Sequence, residues 1–217
     1  MNIEVNKTSV RVEGNNLVIE LTEELRKSLR IRQSKQLYEC KVGDIIVDNI
    51  GNEWYVVGQD VENWKTKVWR KELLEEIYRF DKKSNDFSKS EIKNILNDES
   101  GDILNDIHKG FGKENVLVDT ADLLSMDGLN TYGKCECKVH LGTFDDYRKA
   151  RKNGMLREEN KNSFWLDTPD STNEGSSSSY VQIVRGVGHV DYSDCSWCVH
   201  GVRPFCSLDS SICVSVK

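Results

Sequence analysis

The only two prolines of the chain stand in its last third, one closing Phe164-Trp165-Leu166-Asp167-Thr168-Pro169 and the other closing Gly201-Val202-Arg203-Pro204. Proline fixes φ and offers no amide hydrogen to a ladder, so each one marks the end or the edge of an extended segment. Between them, Asp170 to His200 is rich in Ser, Tyr, Asp, Asn and Gly and contains no lysine. Such a stretch reads as a displayed surface rather than a packing layer. Its composition is that of a binding protein before that of an enzyme.

A chain of 217 residues with 37% hydrophobic content can bury one good core or two small ones. The expected organisation is a main domain over 37–217 preceded by a small appendage over 1–36. The net charge of -6 argues against a nucleic-acid surface, which needs Lys and Arg concentrated on one face. Met1 to Glu20 carries charge and Asn throughout, with no apolar run longer than three, so neither a signal peptide nor a membrane span is expected. That places the protein in the cytosol or in a particle assembled there, with no membrane partner.

Ser9–Val12 and Leu17–Leu21 flank a Gly/Asn turn and predict a hairpin. Thr22 then caps a predicted helix over 23–30, and 31–36 reads as a linker. Strands are predicted at Ile45–Val47, Glu53–Val57 and Lys67–Trp69, ahead of a helical middle over 70–110. There Leu73, Leu74, Ile77 and Phe80 recur at helical spacing in Lys71–Phe80, as do Ile92, Ile95 and Leu96 in Ser90–Asn97. A third helix, Asp102–Lys109, stops at Gly110, and Val116–Val118 reads as a buried strand. Thr143, with Asp146 three residues on, opens a capped helix that ends at Gly154.

From Ser163 the pattern turns to strands: Phe164–Leu166, Tyr180–Val184, Val187–Tyr192 and Val202–Leu208. Alternation assigns Val181 and Ile183 to the core and Tyr180, Gln182 and Val184 to the other face. Trp54, Trp69 and Phe144 read as core aromatics. Arg203, in an apolar strand, reads as a structural clamp on a carboxylate or on loop carbonyls. Tyr180, Tyr192 and Trp197 are the better functional candidates, because large amphipathic rings among Ser, Gly and Asn give contact area at low entropic cost.

The seven cysteines do not read as a disulfide framework. Cys135-Glu136-Cys137 puts two thiols on one face if the segment is an extended strand. Cys195-Ser196-Trp197-Cys198 has the spacing of half a zinc site, with His189, His200 and Cys206 nearby. A zinc ribbon needs two such pairs, and free cysteine packs well in cores, so no metal is expected. The chain lacks an H-E-x-x-H pair, a G-x-S-x-G elbow and a Walker loop, and no catalytic residue is assigned.

Taken in order, Val42-Gly43-Asp44, Trp54-x-Val56, Asp127-Gly128-Leu129-x-x-Tyr132-Gly133, Thr143-Phe144-x-x-Tyr147-Arg148, Trp165-x-x-Thr168-Pro169 and Gly201-Val202-Arg203-Pro204 resemble a phage and prophage protein family of unknown function. The final third is also similar to the C-type-lectin-like fold of formylglycine-generating-enzyme relatives and phage variable proteins. There a Trp-containing strand and a terminal G-[FV]-R strand frame a receptor-binding face. The resemblance implies an α+β, C-type-lectin-like main domain without a cofactor, with its binding face over 163–208. The implied ligand set is Trp165, Asp167, Asp170, Asn173, Tyr180, Gln182, His189, Tyr192 and Trp197, and the ligand a protein or a glycan. Two other readings stay open, a virion structural or decoration protein and an inhibitor of a host defence enzyme, so a virion component or a host defence protein is a further expected partner and the host cytoplasm or the virion the expected location. The E-P-N, Q-P-D and W-N-D signatures of calcium-dependent sugar binding are missing, so carbohydrate does not follow from the fold. Asp167, Asp170, Asn173 and Glu174 are hard oxygen donors suited to Ca²⁺, but they read first as a solvated acidic loop.

Overall fold

The computed structural model describes residues 34–156 and 162–217 in full, together with the backbone of Ile3–Val5, Thr8–Glu13, Asn16–Leu21 and Gln33. The first three strands, β1 (Ile3–Val5), β2 (Thr8–Glu13) and β3 (Asn16–Leu21), form an antiparallel meander in which Glu13 pairs with Asn16. The predicted hairpin is therefore present, with one further strand before it. The helix expected over 23–30 lies outside the described residues.

The rest is a mixed α/β body dominated by a curled antiparallel sheet. It is built from β4 (Gln33–Gln36), β5 (Ile45–Val47), β6 (Glu53–Asp60) and β7 (Lys65–Arg70). Two helices follow, α1 (Glu91–Leu96) and α2 (Asp102–Phe111). Short strands β8 (Val116–Leu117), β9 (Asp119–Asp122), β10 (Lys134–Cys137) and β11 (Val139–His140) lead into α3 (Phe144–Lys152). The chain ends in β12 (Phe164–Pro169), β13 (Tyr180–Val184), β14 (Val190–Asp194), β15 (Phe205–Asp209) and β16 (Cys213–Val216). The large sheet runs β11-β15-β7-β6-β5-β16-β4, with β8 also on β15, while β12-β13-β14 and β9-β10 form two smaller sheets.

Several expectations meet their physical limits here. The polar run expected as a linker is, from Gln33 on, an edge strand paired with β16. An edge strand with exposed polar side chains carries no apolar alternation, so it looks like a linker in sequence. Lys71–Phe80 is not a helix, because its backbone is bonded to distant segments. The Lys71 amide donates to the Glu53 carbonyl (2.8 Å), that of Leu74 to Val202 (2.8 Å) and that of Phe80 to Cys195 (3.1 Å). Leu73 and Leu74 then enter different parts of the core. Only α1 and α2 remain of the helical middle. α1 is capped by Ser90, whose hydroxyl accepts from the Lys93 amide (3.2 Å), and α2 continues to Phe111, past the expected stop at Gly110. α3 carries the expected Thr143–Asp146 capping box.

The core has two parts, separated by the β12-β13-β14 sheet. Trp165, Val181 and Ile183 point into the larger part, with Trp54, Phe80 and Phe87. Phe164, Leu166 and Val184 point into the smaller, where Tyr147 and Ala150 of α3 cover them beside Trp69 and Phe205. This two-sided burial is why every residue of β12 is buried. Arg203 clamps the junction as expected. Its guanidinium donates to the carbonyls of Arg70 (2.9 Å) and Lys71 and lies 4.9 Å over the Phe164 ring. Among the described residues no helix is long and apolar enough to cross a membrane.

Candidate binding face

α3 covers only one end of the outer face of the β12-β13-β14 sheet; the other end stays open. On the open end Tyr180 and Tyr192 meet edge to face with ring centroids 5.2 Å apart, and they are 37% and 53% exposed. The register explains the contact. Tyr180 pairs with Asp194 and Gln182 with Tyr192, so the two tyrosines are diagonal neighbours on one face. Trp197, 59% exposed, stands three residues beyond Asp194. Its turn is fixed by the Asp194 carboxylate, which accepts from the Ser196 amide (2.9 Å) and hydroxyl (2.6 Å). The adjoining Cys195 backbone is tied to Ser179 and to Phe80.

The neighbouring loop Ser171–Ser179 is held from below. The buried Asn85 amide donates to the carbonyls of Ser171 and Tyr180 (both 2.8 Å) and accepts from the Tyr132 hydroxyl (2.8 Å). The Asp127 carboxylate accepts from the hydroxyls of Ser125 (2.5 Å) and Ser171 (2.6 Å). The resembling motif Asp127-Gly128-Leu129-x-x-Tyr132 thus acts as an anchor for this loop.

The structure separates the residues expected in the ligand set. Tyr180, Tyr192, Trp197, Asn173 and His189 are exposed, and Asp170 is half-buried. Gln182 is buried instead, because its amide turns onto the Asp170 carboxylate (2.9 Å). Strand alternation placed it on the outer face correctly, but that face is covered at its position. Trp165 is fully buried, its indole donating to the Tyr78 carbonyl (2.8 Å) with Phe80 and His200 against the ring. It supports the sheet and cannot touch a ligand. Asp167 is equally inaccessible, and it belongs to a site that the sequence reading missed.

That site is a buried charge network. The His140 Nδ1 lies 2.6 Å from the Asp167 carboxylate, and its Nε2 lies 3.6 Å from that of Asp119. Asp167 also accepts from the Leu141 amide (2.9 Å), and Asp119 from the Ser207 hydroxyl (2.8 Å), with the Lys67 ammonium 3.3 Å away. Burial disfavours the His140 charge, but the two carboxylates outweigh it and its pKa is pushed up to about 9. Burial likewise raises Asp119, but His140 and Lys67 overcome this and hold it well below the usual carboxylate range. In sequence, a lone histidine in Val139-His140-Leu141 carries no such signal, since both carboxylates come from distant strands.

At the N-terminal end of α3 a groove of about 610 Å³ opens, lined by Thr120, Leu124, Met126, Phe144 and Arg148, with Lys67 of the network at its wall. Phe144, expected in the core, is only half-buried here, under the Arg148 guanidinium at 5.3 Å. Of the Cys195–Cys198 pair, Cys195 is buried, which pushes its thiol up to about 11, and Cys198 is exposed. Among the described residues no three His, Cys, Asp or Glu side chains form a group that could hold a metal ion. Comparison with protein-family models, with curated proteins and with solved structures finds no match for this chain.

Proposed function

We propose that this chain is a non-enzymatic recognition module of a phage or prophage, a C-type-lectin-like domain that binds a protein through Tyr180, Tyr192 and Trp197. The observation that carries the reading is the interlocked Tyr180–Tyr192 pair left uncovered across β13 and β14, on the side of β13 opposite Val181 and Ile183, which are 0% and 1% exposed. Rigid aromatic rings on a pre-ordered surface lose little entropy on binding. The lectin-like reading is supported by the Trp165 strand lying beside the Gly201-Val202-Arg203-Pro204 segment, where Phe164 bridges Gly201 in parallel and the Trp165 amide donates to the Gly201 carbonyl (3.2 Å). A protein is favoured over a glycan for two reasons. Val199, two residues beyond Trp197 in the chain and 57% exposed, adds aliphatic surface, and the Gln182 amide is turned away onto Asp170.

The test is comparative capture. Wild-type chain and a Tyr180→Ala/Tyr192→Ala/Trp197→Ala variant are immobilised and exposed to purified virions and to infected-cell lysate, with a glycan array run in parallel. At least one protein should be retained by the wild type and lost at least about tenfold from the variant, since aromatic hot spots each carry about 2 kcal/mol. Equal retention on both, or selective binding of a glycan, contradicts the reading.

A further inference from the structure

The proposed face carries a charge pattern as well as rings. Tyr180 stands opposite Asp194 and Gln182 opposite Tyr192, so four positions of one side of β13 and β14 form a block with the tyrosines on one diagonal. Opposite residues in such a ladder hold their Cβ atoms about 4.5–5.5 Å apart, which brings the four groups within reach of one another. The other diagonal ends in two acids. Asp194 is one end itself, and at the other the Gln182 amide holds the Asp170 carboxylate at 2.9 Å. Each acid uses one oxygen on its own chain: Asp170 Oδ1 accepts from Gln182, and Asp194 Oδ1 from the Ser196 amide (2.9 Å) and hydroxyl (2.6 Å). Among the described residues no donor engages either Oδ2 and no cation pairs with either acid. Both acids are half-buried, so they are partly desolvated and still reachable.

The surrounding charge has the same sign. From Asp170 to His200 the chain has four acids, Asp170, Glu174, Asp191 and Asp194, against one permanent cation, Arg185, which Asp191 takes at 2.6 Å. On the adjoining Asp81-Lys82-Lys83 segment, Lys82 is held by Glu91 at 2.9 Å and Asp81 offsets the charge of Lys83. We propose that this block receives an arginine side chain of the protein partner, an inference that rests on the recognition reading above. A guanidinium is flat and stacks on an exposed tyrosine ring, whose quadrupole attracts it. Its donors fan out in the same plane, so it can meet acids on both sides of the rings, each charge-assisted hydrogen bond taking one free oxygen. A lysine ammonium is compact and strongly hydrated, and it cannot both lie flat on a ring and serve two separated acids. The acids also draw a basic partner in during the encounter, an effect that salt screens.

The experiment uses the full chain and N-acetylarginine amide, beside the corresponding lysine amide and the citrulline amide, which has the shape of arginine without its charge. Binding is read at low salt from the ring proton NMR signals of Tyr180 and Tyr192, assigned with the two single alanine variants. Arginine should shift both and bind at least about tenfold more tightly than citrulline and several-fold more tightly than lysine. Asp170→Asn/Asp194→Asn keeps the acceptors for Gln182 and Ser196, so it should melt like the wild type and lose at least about tenfold in arginine affinity. The proposal is overturned if arginine shifts neither ring, if citrulline or lysine binds as tightly, or if the folded Asn variant binds arginine like the wild type. The citrulline comparison needs only the wild type, so it decides the point even where the variant misfolds. The Asn variant is then added to the capture experiment. Full retention of the protein on it, with loss from the triple alanine variant, overturns the arginine inference and leaves the recognition face standing; full retention on both overturns the recognition reading itself.

Discussion

Asp167→Ala should lower the stability of the chain by about 3–5 kcal/mol, the cost of breaking a buried ion pair from one side. The substitution leaves the His140 imidazolium with Asp119 at 3.6 Å and removes the acceptor of the Leu141 amide. Denaturant titration of both proteins measures it. The same network sets a pH dependence. His140 has an ordinary value of 6.5 and is pushed up to about 9 in the fold, so its contribution is fully present below the ordinary value and is lost as pH rises through about 9. Asp119 behaves oppositely, because it is held below its ordinary 3.8: its contribution is present above that value and fades as pH falls further. The wild type should therefore be most stable between these limits. Asp167→Asn, which keeps an acceptor for Leu141 but no charge, should flatten the alkaline decline. An Asp167→Ala midpoint equal to wild type, or a wild-type profile flat from pH 6 to 10, would show that His140 is not held charged.

Gly142→Ala should cost a similar amount for a different reason. Gly142 has φ of +83°, and a Cβ there falls 2.7 Å from the Trp69 ring. Trp69 cannot yield, because its indole donates to the Arg203 carbonyl (3.1 Å) and its ring packs edge-on against Phe205 and Phe164. Left-handed backbone costs a side chain about 1–2 kcal/mol and overpacking about 1–3 kcal/mol more. Gly128→Ala separates the two effects, because Gly128 has φ of +85° with nothing near its Cβ. It should lose only the backbone part. Thermal or chemical melts that show equal losses at both positions would mean that the Trp69 contact is not limiting.

The elements legible in sequence are those whose signal is local. Ile45–Val47 and Tyr180–Val184 were placed by apolar runs, the Thr143–Asp146 cap fixed one helix start, and the spacing of Ile92, Ile95 and Leu96 placed another helix. Lys71–Phe80 misled because its apolar spacing serves two different core regions instead of one helical face. β4 and β9 were missed because strands with an exposed face or a free edge keep polar residues there. The strand predicted at Val187–Tyr192 starts later, at Val190, since Arg185 and His189 close a turn in which Gly188 takes φ of +82°. The site divides in the same way. Tyr180, Tyr192 and Trp197 stand out as large rings among small polar residues. The fates of Trp165, Asp167 and Gln182 were decided by partners distant in sequence, Tyr78, His140 and Asp170.

The most direct measurement of the proposed recognition face is the dissociation constant of single variants against the protein recovered by capture, with folding checked by melting temperature. Tyr192→Ala or Trp197→Ala should weaken binding about 30-fold, the equivalent of about 2 kcal/mol. Arg148→Ala, at the groove beside α3, should leave it unchanged. Undiminished affinity in Tyr180→Ala, Tyr192→Ala and Trp197→Ala, together with a loss in Arg148→Ala, would contradict the account and move the binding site to the groove.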